Sequence, residues 1–152
     1  MKKIIGIITI FVCCIFLSGC KGGVVQTKCS GTSNQSDYKI TSNYVITSRK
    51  GIVDKVELEQ VIESNTSSLL DNYREILARQ YNSYNNLYGG YKYNLYLEGN
   101  KLTLNLIINY DKVNKEKFIT DNVSFKEFVN DKNEFTLDGA KKMYEASGMK
   151  CN

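Results

Sequence analysis

Histidine, proline and tryptophan are missing from this sequence. Without histidine there is no Ser-His-Asp or Cys-His nucleophile and no imidazole-bound metal. Phosphate-binding loops are missing too. No glycine-rich stretch leads into Lys-Ser or Lys-Thr, and no dinucleotide fingerprint occurs. Gly89-Gly90 follows a helical pattern and precedes a strand pattern, the reverse of the order such loops need. Nor is there a strong excess of charge: 20 Lys+Arg against 16 Asp+Glu is too mild a balance to attract nucleic acid. The missing residue types, with abundant Asn, Lys, Ile and Tyr, reflect AT-rich codon usage and point to a low-GC, single-membrane bacterium, not to a function.

What remains for catalysis is carboxylate chemistry. A glycoside hydrolase needs two carboxyl groups facing across a cleft. Glu57 and Glu59 fall on one strand face, roughly 7 Å apart, where a solvated sheet surface accounts for them. Asp121, Asp131 and Asp138 are scattered near helix ends, and helix-terminus electrostatics accounts for Asp138. Asn130-Asp131-Lys132-Asn133-Glu134 is too short an oxygen cluster for calcium and contains a lysine. No catalytic residue, metal site or cofactor is expected.

One long apolar run is present. Met1-Lys2-Lys3 precedes Ile4–Leu17, whose 14 residues fall short of the ~20 that a membrane-spanning helix needs. A charged start and a short apolar stretch fit a secretory signal. Leu17-Ser18-Gly19-Cys20 then matches the bacterial lipobox: a branched apolar residue, two small residues that admit the peptidase, and a thiol that becomes the thioether carrying diacylglycerol. The alternatives are an ordinary signal with a free cysteine, or an uncleaved anchor. Residues 1–19 are therefore expected to be a lipoprotein signal peptide and Cys20 the lipidated first residue, with palmitate-type chains anchoring the protein on the outer face of the cytoplasmic membrane. Two acyl chains suffice for stable attachment, since each buried methylene contributes roughly 0.8 kcal/mol.

Removing 19 of 152 residues leaves 133, enough for one domain and too few for the two lobes of a solute receptor. Of five cysteines, Cys13 and Cys14 leave with the signal and Cys20 is lipidated. Cys29 and Cys151 remain, outside the membrane where disulfides persist. They are expected either to pair, tying both ends of the domain together, or to stay as two free thiols. Residues 20–37, small and polar after the lipidated cysteine, read as a flexible tether, and 38–152 as a single domain.

Within that domain, Tyr38–Ser48 alternates with period two and predicts a strand, followed by a three-residue hairpin loop at Arg49-Lys50-Gly51. Ile52–Ile62 predicts a second strand with Val56, Leu58 and Ile62 inward. Thr66 caps a long helix ending at Gly89-Gly90. Tyr91–Glu98 and Leu102–Tyr110 alternate on either side of Gly99-Asn100, and a two-residue turn pairs Glu98 with Lys101 and every inward residue with another. Asn114–Thr120 predicts a short helix. Ser124-Phe125-Lys126-Glu127 has the form of a capping box, and Thr136 caps a final helix over Leu137–Ser147 that Gly148 ends. The fold class is α+β: a two-layer sandwich in ββαββα order, with an antiparallel sheet of about four strands and helices on one face.

Tyr81, Tyr84, Tyr88, Tyr91, Tyr93 and Tyr96 crowd into sixteen residues. Tyrosine is favoured at binding surfaces, yet helical and strand spacing assign the first five to the core, with hydroxyls at its edge. Only Tyr96 points to the wet side, with Lys92, Asn94, Thr103, Asn105, Ile107 and Asn109. This face is either plainly solvated or the docking surface for a protein or glycan of the envelope.

The lipobox at Cys20, the helix ending at Tyr88-Gly89-Gly90, the Leu97-to-Leu102 hairpin, the strand exit Ile108-Asn109-Tyr110-Asp111-Lys112-Val113-Asn114 and the closing helix to Gly148 resemble the YehR-like lipoproteins, a family of small bacterial lipoproteins. The resemblance spans most of the mature chain. It implies location and fold, and carries no catalytic residues. The Cys29 and Cys151 pair and the heavy tyrosine content depart from it. The expected function is a non-enzymatic, lipid-anchored binding or envelope-associated module. An inhibitor of a secreted lytic enzyme and a small carboxylate-based glycan hydrolase are the alternatives.

Overall fold

A computed structural model describes residues 23–152, so residues 1–19, the expected signal peptide, and Cys20 lie outside the described residues. The elements are β1 (Val24–Asn34), β2 (Lys39–Arg49), β3 (Ile52–Glu63), α1 (Ser67–Tyr88), β4 (Tyr91–Glu98), β5 (Lys101–Asn109), α2 (Lys115–Asp121), a 3₁₀ segment (Val123–Phe128), α3 (Leu137–Ala146) and β6 (Lys150–Cys151). The strands form one antiparallel sheet in the order β4-β5-β3-β2-β1-β6. The α+β class holds, with six strands in place of about four. Among the described residues no helix is long and apolar enough to cross a membrane.

The two extra strands come from the ends of the domain. Residues 24–34 are not a tether but β1, paired with β2 along eleven residues. Small polar side chains hide this strand from a search for alternating hydrophobicity. It is held by its backbone ladder, and only Thr27 and Cys29 face inward and are buried. β6 is two residues long, and places Cys151 opposite Cys29, to which it is disulfide-bonded across a separation of 122 residues. Reciprocal backbone bonds between Lys28 and Asn152 extend this pairing.

The inner face of the sheet is ordered in rows. Thr27, Ile46, Val56, Ile108 and Tyr91 stand side by side across five strands, and so do Cys29, Tyr44, Leu58, Leu106 and Tyr93. The next row holds Ser42 and Gln60, whose amide donates to the Ser42 hydroxyl (3.0 Å), so a polar side chain in a core-facing position is satisfied. Beyond it Ile62 and Leu102 meet Leu70 of α1 in a second small core. Burying one such aliphatic side chain contributes about 2 kcal/mol.

The turns follow from backbone sterics. Lys50 and Gly51 both have positive φ (52° and 79°), so β2 and β3 are joined by a two-residue connection, one residue shorter than the sequence suggests. The β4–β5 hairpin has the predicted register in full, from Glu98 opposite Lys101 to Tyr91 opposite Ile108. At the start of α1 the Thr66 side chain makes no capping bond. Ser64 acts there instead, its hydroxyl accepting from Thr66 N and donating to the Asp37 carbonyl. The predicted capping box at Ser124 does not form either: α2 ends on Asn122, and the chain tightens at once into the 3₁₀ segment that carries Phe125 and Phe128 into the core. Thr136 does cap α3, accepting from Gly139 N (3.0 Å).

Candidate functional site

The helices pack on the inner face, which leaves the outer face of the sheet open. Alternation in β4 and β5 turns Lys92, Asn94 and Tyr96 outward opposite Ile107, Asn105 and Thr103, so six of the seven predicted face residues form three adjacent cross-strand pairs. Asn109 lies at the end of β5, half-buried and opposite Lys55. Tyr96 is 57% exposed and Ile107 37%.

Pairing of β5 with β3, and of β3 with β2, widens this face well beyond the hairpin. Asn94, Asn105, Glu59 and Asn43 stand in one row across four strands, and Ser30 of β1 continues it. Neighbouring strands lie about 4.8 Å apart, so the row presents a hydrogen-bonding side chain at each such step. Lys92, Ile107, Glu57 and Val45 flank it on one side, and Tyr96, Thr103, Val61 and Thr41 on the other. A shallow depression of about 330 Å³ runs between Asn43, Val45, Glu57, Glu59, Asn105 and Ile107. Asn43, Val45 and Val61 were not recognised in the sequence as part of this face, because alternation tells which way a side chain points but not which strand lies beside it.

Charges on the face are partly neutralised. Glu57 pairs with Lys55 at 3.1 Å. At its edge Glu63 pairs with Lys101 (2.7 Å) and Lys39 (3.8 Å), and the hydrogen bond from Lys101 holds its carboxyl below the usual range. Glu59 makes no ion pair among the described residues and is exposed in the middle of the row. The segment 130–134 is closed on itself: Asn130 Oδ1 accepts from Lys132 N and Glu134 N. No group of three metal-ligating side chains occurs among the described residues.

The other tyrosines pack where spacing puts them. Tyr88 and Tyr91 are buried, and Tyr81, Tyr84 and Tyr93 pack against the same core. Tyr93 donates to the Ala78 carbonyl and Tyr88 to Asp121, a carboxylate that also accepts from Lys117 at 2.7 Å and is held low by that contact.

No family model and no curated protein matches the chain. Two solved structures are similar. The solution structure of the E. coli YehR protein has a TM-score of 0.57 at 19% identity, over 85% of this chain and 92% of that one. The solution structure of a protein from Streptococcus pneumoniae TIGR4 has a TM-score of 0.53 at 12% identity, over 100% of this chain and 94% of that one. The likeness is one of fold, and it places the chain beside the YehR fold that its hairpin and helix ends resemble.

Proposed function

We propose that this protein is a lipid-anchored, non-enzymatic binding module on the outer face of a bacterial cytoplasmic membrane, and that it docks an envelope glycan on its open sheet face. The lipobox at Leu17-Ser18-Gly19-Cys20 supports the location, with diacylglycerol on Cys20 as the anchor. The observation that carries the binding reading is the row Asn94–Asn105–Glu59–Asn43. Amide and carboxylate groups repeated at strand spacing suit a chain of sugar hydroxyls, and Tyr96 offers a flat ring on which a pyranose can stack. A protein partner would ask for a more apolar centre than this row provides.

Two measurements test the reading. The intact mass of membrane-extracted protein should correspond to a chain starting at Cys20 plus diacylglycerol; an unlipidated mass retaining residues 1–19 sinks the location. Retention of the mature protein on purified cell-wall glycan should fall about tenfold when Tyr96, Asn94 and Asn105 are replaced together by alanine, since each lost contact weakens binding by a few-fold. All three are exposed, so the fold should survive the change. Undiminished retention sinks the surface.

A further inference from the structure

Behind the sheet, on the face opposite the proposed glycan surface, the packing of the core is incomplete. A cavity of about 210 Å³ lies between the inner face of the sheet and helices α1, α2 and α3. The space opens toward solvent beside the exposed Gln80, and an apolar cavity of about 150 Å³ is already large enough to take up benzene. Six tyrosines line this one: Tyr44 and Tyr91 from the sheet, Tyr110 just beyond β5, Tyr81 and Tyr84 from α1, and Tyr144 from α3. Leu58, Leu106, Ile108 and Phe118 supply apolar wall. Gln80, which is exposed, and Asn122 stand at its margin, and no charged side chain lines it.

The tyrosines of the main core divide into two sets by what their hydroxyls do. Tyr88 and Tyr93, outside the lining, have protein partners. The six lining hydroxyls make no side-chain hydrogen bond among the described residues, although Tyr91, Tyr110 and Tyr144 are each at least nine-tenths buried. Among the described residues the buried side-chain oxygens without a partner are Thr47 Oγ1 and Ser48 Oγ, so these phenol oxygens are not shut off from solvent and remain donors available to whatever enters the pocket. Burial holds the phenols of Tyr44, Tyr81, Tyr91, Tyr110 and Tyr144 protonated, and neighbouring phenols add to this: Tyr91 is raised by Tyr110, Tyr84 and Tyr81, and Tyr144 by Tyr110, Tyr44 and Tyr81. The rings are already in edge and tilted contact with each other, as in Tyr44–Tyr144 (4.3 Å between centroids) and Tyr84–Tyr91 (5.6 Å).

We propose that this cavity is a binding site for a small uncharged aromatic compound that carries a hydrogen-bond acceptor such as a carbonyl. Its size admits one or two fused rings. The aromatic walls favour a flat ligand, the free hydroxyls favour an acceptor on it, and the lack of any cationic side chain disfavours an anion, whose desolvation would go uncompensated.

The probe is acetophenone, a ring with one carbonyl. Benzoate supplies the same shape with a charge, and toluene the same ring with no acceptor. Each is titrated into the mature protein in detergent micelles while the ring signals of ¹³C-labelled tyrosine are followed by NMR. Micelles lower the free probe concentration equally for every variant, so comparisons between variants stand. Acetophenone should give saturable shifts at Tyr91, Tyr110 and Tyr144, and benzoate none. Y110F and Y144F should each weaken acetophenone about fivefold, the loss of one hydrogen bond, while leaving toluene unchanged. Where either variant fails to fold, the wild type decides: a shift at the same signals with acetophenone but not benzoate, and weaker binding of toluene, supports the site. Absence of saturable shifts, shifts with benzoate as large as with acetophenone, or binding unaltered in both phenylalanine variants overturns it.

Discussion

Gly139 stands in the first turn of α3 with its backbone against the Phe128 carbonyl. A Cβ there would lie 2.3 Å from the carbonyl oxygen and 2.8 Å from Phe128 Cα, and both obstacles are backbone. No rotamer change relieves such a contact, so α3 and the 3₁₀ segment would have to part. G139A should cost about 3 kcal/mol, at the upper end of overpacking substitutions, read as a lower midpoint in urea unfolding. The same substitution at Gly148, where nothing lies within 4 Å but φ is +83°, should cost only about 1 kcal/mol. Equal costs at the two positions would mean that the helix yields. The role of Gly148 as a helix stop was legible in the sequence, because a glycine after an amphipathic run carries that meaning by itself. The role of Gly139 was not, since it depends on a neighbour that only the tertiary fold brings near.

At the scale of elements, legibility followed local apolar pattern. The β4–β5 hairpin was read to the residue because Tyr91, Tyr93, Leu95 and Leu97 alternate, and Gly99 takes the positive φ its turn needs. α1 was read as well, though Ile76 and Leu87, at the edges of its apolar stripe, are about half exposed. β1 and β6 escaped. Their side chains are mostly small or polar, and what makes them strands is backbone pairing with β2 and the Cys29–Cys151 bond. Two residues of β6 cannot hold an edge unaided, so the bond should carry this corner of the sheet. Opening it frees a loop of 122 residues in the unfolded chain, and replacing both cysteines by alanine should lower unfolding stability by about 4 kcal/mol. Amide exchange should then quicken first at Lys28, Ser30 and Asn152. Uniform loss of protection across all six strands would show instead that β1 and β6 unfold only with the rest.

For the whole molecule, the decisive unknown at the sequence level was strand order. The outward residues of the β4–β5 hairpin were identifiable singly, but the row they complete with Glu59 and Asn43 exists only because β5 lies beside β3. Likewise the crowding of tyrosines was visible along the chain, whereas the convergence of Tyr44, Tyr110 and Tyr144 on Tyr81 and Tyr91 is a product of packing two layers together. That convergence has a measurable consequence at high pH. Burial raises the hydroxyls of Tyr44, Tyr91, Tyr110 and Tyr144, and pushes Tyr81 up to about 12. In the unfolded chain a tyrosine ionises near pH ~10. Because the folded values are the higher ones, the unfolded state loses its protons first. The stability these groups contribute is fully present below about pH 10 and is lost as pH rises through the folded values. Unfolding should therefore be cooperative in alkali, starting between about pH 10 and 12, with the tyrosinate absorbance of the buried set rising together with the loss of helical circular dichroism. Lysine deprotonation falls in the same range, so the assignment rests on Y144F, which removes one such phenol and should move the midpoint to higher pH. If the buried tyrosines ionise gradually while the dichroism stays native, water reaches their hydroxyls in the folded protein. The burial of this tyrosine set as the source of the alkaline transition would then have to be given up.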